Sequence, residues 1–419
     1  MMRISSLTMF DQSISSLNRQ QTNFLEVSQQ IASGRRVVNP SDDPQAASRA
    51  VSVDQSKAVA QQFADSRVSA RNSLAQTESV LNSVSDAVTR AKTLMVQASS
   101  DTLSDADRQS VASELRGVYE SVIGQANATD GNGTYLFGGY KDSSEPFIRN
   151  SDGNVEYVGD ENAREQRIDS TRLMAVAENG KDIFQSAPSG AGFIAEASLD
   201  DSETVTFDGP QVTESNDAVA NPGFEITLPA AGSPLSNIGQ SNVRELDPDG
   251  TPSGSFDQSS FDVSSTDGGL RVTYKGVSID LEGVPAGGRI VVAPSESGAI
   301  NNDPVSTFEK ALDALENPAQ TEADEAALDN TLKTVMREFD NSLDNVLTER
   351  ASVGARLNEL DVVDAVGSDR MLNYEETLSD LVDLDYPEAV SEYSLRQVGL
   401  QASQQTFADM KDMSLFNFL

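Results

Sequence analysis

The feature that most constrains this chain is an apolar seam at each end of the sequence. Near the N-terminus, seam residues recur at alternating steps of three and four: Leu7, Phe10, Ile14, Leu17, Gln21, Phe24, Ser28 and Ile31. The same spacing returns near the C-terminus at Tyr386, Val390, Tyr393, Gln397, Leu400, Gln404 and Phe407. Such spacing predicts one apolar stripe on each of two helices. Because the stripes contain polar residues and isolated helices are only marginally stable, we predict that the terminal helices stabilise each other by packing.

The first helix is predicted to end near Gly34, because glycine readily takes the left-handed conformation that ends helices. Pro40 and Pro44 then exclude a continuous helix. Asp42 and Asp43 come directly before the next predicted helix, where carboxylates cap the first backbone N–H groups. Paired carboxylates could also indicate acid chemistry or a metal site, but capping is the favoured interpretation.

Further helices are predicted on both sides of the middle of the chain. The second helix has a regular inner face at Leu74, Thr77, Leu81, Val84, Val88, Ala91, Met95 and Ala98. Ser104 is placed to cap a third helix with the inner face Val111, Leu115, Val118, Val122 and Ala126. The helical period resumes after Asp303 with Val305, Phe308, Leu312, Leu315, Leu328, Leu332, Val335, Phe339, Leu343 and Val346.

The middle of the chain is predicted to form β structure. From residue 130 the helical period stops, and turn residues separate short strand-like runs at 155–158, 204–207, 224–228, 270–274, 277–281 and 289–292. Lys275-Gly276 between two of these runs predicts a hairpin. The stretch 208–267 has weak patterning and is expected to be rich in loops.

These elements predict a mainly α protein with a β insertion. We expect an elongated helical bundle or coiled coil built from N- and C-terminal segments, with an antiparallel β domain at its tip. The predicted domains are terminal coiled-coil helices (1–44 and 380–419), a helical bundle (45–140 and 300–379) and a β-rich insertion (141–299). Gly354 lies inside a predicted helix and suggests a close contact there, since glycine weakens a helix by about 1 kcal/mol relative to alanine.

The composition excludes several classes of function. The chain has 30 basic and 66 acidic residues and a net charge of −36, so nucleic acid and anionic membrane are not expected partners. It contains no Cys, His or Trp, which removes the usual nucleophiles, bases and zinc ligands of enzymes. We therefore expect no catalytic residues, no metal site and no cofactor. No secretory signal peptide or stretch of membrane-spanning length is recognised.

Two groups of motifs resemble the flagellin superfamily of axial flagellar proteins, over about residues 2–140 and 300–419. The residues that carry this resemblance are Ser33, Gly34, Arg35, Asn39, Asp42, Asp43, Pro44, Arg350, Gly354, Ala355 and Asn358. The ends of the chain, Met2-Arg3-Ile4-Ser5 and Ser414-Leu415-Phe416-Asn417-Phe418-Leu419, are similar to the hook–filament junction branch of the family rather than to filament flagellin.

The resemblance implies a structural subunit outside the cell, exported through the flagellar type III apparatus without a cleaved signal peptide. The implied partners are a hook-side junction protein, flagellin, copies of the chain itself in a ring, and a cytosolic export chaperone bound after about Asp385. The expected assembly interface is formed by Leu7, Phe10, Ile14, Leu17, Phe24, Ile31, Val390, Tyr393, Leu400 and Phe407.

Three alternatives stay open at this point. On periodicity alone, the seams could belong to an ordinary bundle within one chain. The chain could be a filament flagellin, which would form an extended homopolymer. The β insertion could serve as an adhesive or ligand-binding module, although no residue spacing in it singles out a site.

Overall fold

A computed structural model describes most of the chain. The described residues are 6–100, 103–151, 153–186, 192–199, 204–218, 221–247, 250–253, 258–266, 268–295, 300 and 303–415. The chain divides into two compact units. One unit comprises Met1–Arg67 with Asp361–Leu419, and the other comprises Val68–Leu360.

The α-helices of the described residues include four long ones and four shorter ones. In chain order they are α1 (Ser6–Ser33), α2 (Pro44–Ala98), α3 (Asp105–Ala126), α4 (Gly180–Phe184), α5 (Ser215–Ala218), α6 (Pro304–Glu316), α7 (Glu322–Val382) and α8 (Tyr386–Leu415). Short 3-10 helices occur at Leu235–Asn237, Gln240–Asn242 and Gln258–Ser260.

The β-strands all lie between α3 and α6. They are β1 (Phe147–Arg149), β2 (Val155–Tyr157), β3 (Arg164–Asp169), β4 (Arg172–Ala177), β5 (Phe193–Ser198), β6 (Thr206–Val212), β7 (Phe224–Thr227), β8 (Val243–Glu245), β9 (Phe261–Ser265), β10 (Gly269–Tyr274), β11 (Val277–Glu282) and β12 (Arg289–Pro294). β1 pairs with β2, and β3 with β4. Two four-stranded sheets have the orders β6-β11-β10-β9 and β5-β12-β7-β8, with antiparallel pairing throughout.

Both four-stranded sheets contribute to one hydrophobic core. Phe224 and Ile226 from β7, Val272 and Tyr274 from β10, and Ile279 from β11 are among its buried members. The predicted hairpin between β10 and β11 is confirmed. Its two loop residues have positive φ values, 42° at Lys275 and 73° at Gly276, as a two-residue turn with the twist of the flanking strands requires.

The regular inner face predicted for the second helix is confirmed in the unit Val68–Leu360. All its members are buried: Leu74, Thr77, Leu81, Val84, Val88, Ala91, Met95 and Ala98. The predicted start of α3 is also confirmed, because Ser104 and Asp107 form a reciprocal capping box. Between α6 and α7, the rings of Phe308 and Phe339 meet edge to face with centroids 4.8 Å apart.

Polar side chains on one face of α7 form hydrogen bonds with backbone groups of the β insertion. The amide of Asn330 accepts a hydrogen bond from Phe207 N at 2.9 Å and donates one to Val205 O at 2.8 Å. One turn later, Thr334 Oγ1 donates to Ala195 O at 2.7 Å. These contacts satisfy backbone groups at the edges of β5 and β6, which would otherwise be buried without partners.

The described residues confirm the predicted fold class, mainly α with an antiparallel β insertion, with long helices in both terminal segments. Six strands were not predicted as separate runs: β1, β3, β4, β5, β8 and β9. Within the described part of the chain, every helix falls short of the length and hydropathy needed to cross a bilayer.

Candidate assembly site at the terminal helices

The two terminal helices, α1 and α8, pack on each other within one unit, as predicted. The rings of Phe24 and Tyr393 lie across this contact with centroids 5.0 Å apart and an angle of 37° between their planes. Nearby, a Cβ atom at Gly399 would lie 3.4 Å from Oε1 of Gln20. The backbone of α8 therefore approaches the side chains of α1 closely at Gly399.

The seam of α1 runs partly through residues that were not predicted. Ile14, Leu17, Phe24 and Ile31 are half-buried, in agreement with the prediction, but the most buried side chain is Val27, with 5% exposure. Gln21, a predicted seam residue, is exposed, and Gln20 takes its place. The side chains of Leu7 and Phe10 lie outside the described residues. The observed seam thus continues as Leu17, Gln20, Phe24, Val27 and Ile31.

The seam of α8 differs from the prediction in the same way. Tyr393, Leu400 and Phe407 are half-buried, as predicted. Val390 is 52% exposed, whereas its neighbour Ala389 is only 4% exposed. The prediction that Val390 lines the helix pair is therefore wrong for the single chain. One residue corresponds to about 100° of helix rotation, so Ala389 faces inward while Val390 turns to the flank.

Two connecting segments meet at the ends of these helices. α1 ends at Ser33, and the φ of 70° at the next residue, Gly34, confirms the predicted left-handed stop. Leu384 N donates to Gly34 O at 3.1 Å, and Arg36 N donates to Val382 O at 2.7 Å. Arg35 and Asp383 therefore form an antiparallel β-bridge. The α1–α2 and α7–α8 connections are joined by backbone hydrogen bonds.

Asp43 caps α2, as the sequence predicts. Its Oδ1 accepts from Ala46 N at 3.0 Å, and its Oδ2 lies 3.3 Å from Nη1 of Arg36. The hydrogen bond from Ala46 and the charge of Arg36 lower the pKa of Asp43 below its usual value. Asp42 stabilises the preceding turn, since its Oδ2 accepts from Asn39 N at 2.7 Å. The N-terminal signature residues thus build the turn and the cap, with Pro44 as the first residue of α2.

The C-terminal signature residues lie on α7, in the other unit. Ala355 and Asn358 are exposed, and Nε of Arg350 is buried without a hydrogen-bond partner among the described residues. The prediction of a close contact at Gly354 is wrong, because a Cβ atom there would have nothing within 4 Å. Arg356, one helical turn from Ser352, forms an ion pair with Glu178. Burial and the negative charge of Glu178 raise the pKa of the adjacent Glu349.

Comparisons with known proteins agree with this arrangement. A family model described as the bacterial flagellin N-terminal helical region matches residues 4–142. Flagellar hook-associated protein 3 of Escherichia coli is 31% identical over 416 residues, which cover 99% of each chain. The Salmonella typhimurium protein of the same name is 32% identical over 415 residues, again covering 99% of each.

Among solved structures, FlgL of Xanthomonas campestris matches with a TM-score of 0.62 and 26% identity, covering 78% of this chain and 99% of that one. The fold of this chain is therefore shared with a flagellar protein of known structure. Together with identity above 30% to two curated proteins over nearly their whole length, these findings show that the chain belongs to the flagellar hook-associated protein 3 family of the flagellin superfamily.

Proposed function

We propose that this chain forms the junction between the flagellar hook and filament, and that it assembles there through its terminal helices after export. Members of its family are structural components of the flagellum and not enzymes. The proposed partners are a hook-side junction protein, flagellin and further copies of the chain in a ring. Its proposed location is the extracellular flagellum, reached through the flagellar type III apparatus.

The observation that carries this proposal is a second apolar strip on α8. Tyr393 contacts Phe24 of α1, and Leu400 and Phe407 are half-buried, yet Leu395 and Val398 are 72% and 64% exposed. With Ala402 they recur at steps of three and four residues, so they lie on one face of the helix. Between residues 393 and 405 the charged residues are limited to Arg396. A helix with apolar residues on two faces is suited to pack against two partners.

The composition of the seams supports assembly as the step that orders the terminal helices. Gln20 occupies a seam position on α1, and most of the apolar seam residues are only half-buried in the single chain. Burial of further apolar surface contributes about 25 cal/mol per Å² and accumulates over many subunit contacts. The seam residues of both helices are therefore proposed as the assembly interface, and the segment after about Asp385 is proposed as the chaperone site before export.

The proposal is tested by adding the purified chain to isolated hooks that carry the hook-side junction protein, and separately to short flagellin seeds. Electron microscopy then follows the bound layer. A junction subunit forms a short layer on the hook end, and flagellin subsequently polymerises from that layer. Long growth of the chain alone would instead identify a filament flagellin. If the chain binds neither the hooks nor the seeds, both functions are contradicted. An adhesive role of the β insertion is then the remaining alternative.

Two variants locate the interface in the same experiment. Ile14→Asp places a charge in the α1 seam, so it is expected to prevent layer formation. The matched control Ser15→Asp adds the same charge at the neighbouring exposed position and is expected to assemble normally. If Ile14→Asp assembles as well as the control, the proposed role of the seam is wrong.

A further inference from the structure

We propose that neighbouring copies of this chain are held in register by contacts between the outer face of α7 and the α1–α2 corner. This inference rests on the proposed assembly of copies. The α7 outer strip consists of Val362, Val366, Asp369, Leu372, Glu376 and Asp380. The α1–α2 corner comprises Arg35, which follows α1, and Arg49 and Val51, which lie on different sides of the first turns of α2. Carboxylates on the strip of one copy face the arginines of the corner on the next copy.

The α7 outer strip is an exposed surface that combines apolar and acidic groups. Val362, Val366 and Leu372 are each more than half exposed, and all strip residues recur at steps of three or four. The opposite face of α7 is covered within the chain. There Val363 is buried, and Arg67 of α2 forms an ion pair with Asp364 beside Gly367.

The two segments that form this unit have very different charges. Residues 6–67 carry six basic and six acidic side chains, whereas residues 361–409 carry eleven acidic and two basic ones. The excess negative charge of the unit therefore lies on its C-terminal segment. Contacts between C-terminal segments of two copies would be repulsive, while contacts between unlike segments would not.

Several charges at the two surfaces have no ion-pair partner among the described residues. Four cations of the unit are in ion pairs: Arg36 with Asp43, Lys57 with Glu375, Arg67 with Asp364 and Arg396 with Glu392. Arg35 and Arg49 are exposed and form no ion pair with any described residue. The same is true of Glu376 and Asp380 on the strip. Complementary groups are thus available on both surfaces.

The corner also offers space for an apolar side chain. Arg35 and Val51 line a groove of about 350 Å³, whose apolar wall includes Leu378 and Val382. Leu372, on the strip, is an exposed side chain that can enter such a groove, with Glu376 one turn further along. The groove is also lined by Asp54 and Asp383 and by the ion pair of Lys57 with Glu375. Arg35 is therefore the groove cation that can receive another carboxylate.

A second copy is the occupant that fits these observations. Each copy carries both surfaces and a net charge of −36, so a layer of copies requires interfaces in which carboxylates meet cations. Because the two surfaces differ, the contact is head-to-tail, and repeated use of such a contact closes a ring or extends a helix.

Charge reversal tests this contact in the full-length chain. The corner variant carries Arg35→Glu and Arg49→Glu, and the strip variant carries Glu376→Lys and Asp380→Lys. Layer formation on hook ends is measured for each variant, for their equimolar mixture and for one chain carrying all four changes. The matched controls are Arg167→Glu with Arg244→Glu, and Glu156→Lys with Glu165→Lys, which make the same charge changes in the β insertion.

Each single-surface variant places like charges across the contact, so we expect the concentration for half-maximal layer formation to rise at least about ten-fold. In the mixture, corner and strip variants can alternate with opposite charges at every contact, so assembly is expected to recover. The four-change chain is expected to recover as well, and the control variants to behave like the wild type.

Three results separate this inference from the proposed function. Normal layers from both single-surface variants overturn the α7 contact and leave the junction function intact. Weak layers that neither the mixture nor the four-change chain restores also overturn the pairing of these surfaces. If the wild-type chain itself forms no layer on hook ends, the proposed function fails first, and the inference fails with it.

Discussion

Glu338 makes the stability of the unit Val68–Leu360 dependent on pH. Its carboxylate is fully buried on α7, where Thr307 Oγ1 donates to it at 3.0 Å and Lys310 Nζ lies 2.9 Å away. Glu196 of β5 is a further negative charge nearby, 3.9 Å from the Lys310 ammonium. Burial raises the pKa of Glu338 from 4.5 to about 7, and Lys310 offsets only part of this effect.

The direction of the pH effect follows from proton binding. Between pH 4.5 and about 7, folded Glu338 retains a proton that the unfolded chain has released. The free energy of unfolding therefore falls as the pH rises through this window. One pKa unit corresponds to about 1.4 kcal/mol, so Glu338 is expected to remove about 2 to 3 kcal/mol of stability between about pH 5 and pH 8.

Glu338→Gln tests this prediction because glutamine resembles the protonated carboxyl group and does not titrate. Urea unfolding followed by circular dichroism gives the free energy of unfolding of both proteins at several pH values. The two should be similar near pH 5, and the variant should be the more stable at pH 8. The exposed Asp344→Asn on the same helix controls for the change in net charge. A wild type at least as stable as Glu338→Gln at pH 8 would show that the ion pair with Lys310 outweighs the cost of burial, contrary to our reasoning.

Three substitutions give further predictions, all measured by urea unfolding. Gly354→Ala should stabilise the chain by about 0.5 to 1 kcal/mol, since glycine weakens helix interiors and the site is open; destabilisation would reveal an unrecognised contact. Asn330→Ala should cost about 2 to 3 kcal/mol by leaving buried backbone groups of Val205 and Phe207 without partners, and a loss below about 0.5 kcal/mol would contradict this. Gly34→Ala should cost about 1 to 2 kcal/mol because φ is 70° there, whereas an unchanged stability would show that the turn relaxes freely.

The inner face of α2 shows what sequence periodicity can establish. Leu74, Leu81, Val88 and Met95 are seven residues apart and almost completely buried. The residues between them on the same face, such as Val84 and Ala91, are small or apolar, while those just beside it are mostly polar. The polar member of this face, Thr77, has its hydroxyl satisfied by Ser73 O at 3.0 Å. This face is therefore the one that can be buried at little polar cost, and the sequence identifies it.

The terminal seams show where the same reasoning becomes ambiguous. Leu17, Phe24 and Ile31 are seven residues apart and were predicted correctly. The intermediate seam position can lie three or four residues further along, on either side of the same stripe. On α1 both choices offer glutamine, Gln20 or Gln21, and on α8 Val390 is more apolar than the buried Ala389. Small residues allow the close approach of two helices, and that advantage is visible only once the partner is known.

The β insertion was predicted in outline but not in detail. Strands with alternating or continuous apolar residues, such as β10 and β11, are evident in the sequence. β9 has no fully buried residue, and β8 has only three residues, so their pattern is too weak to recognise. The contacts of Asn330 with β6 join residues more than a hundred positions apart, and no local pattern indicates them.

The bridge between Arg35 and Asp383 marks the point in the chain at which separation of the two terminal helices is expected to stop. Both chain segments leave the helical conformation at the same level, and two backbone hydrogen bonds tie them together there. Separation of α1 from α8 can thus proceed to Gly34 and Leu384 without breaking the cap of α2 or the last turn of α7. We therefore predict that the 28 residues of α1 and the 30 of α8 open and close as one cooperative segment. Hydrogen exchange should accordingly show protection that changes abruptly at these two positions rather than fading along the helices.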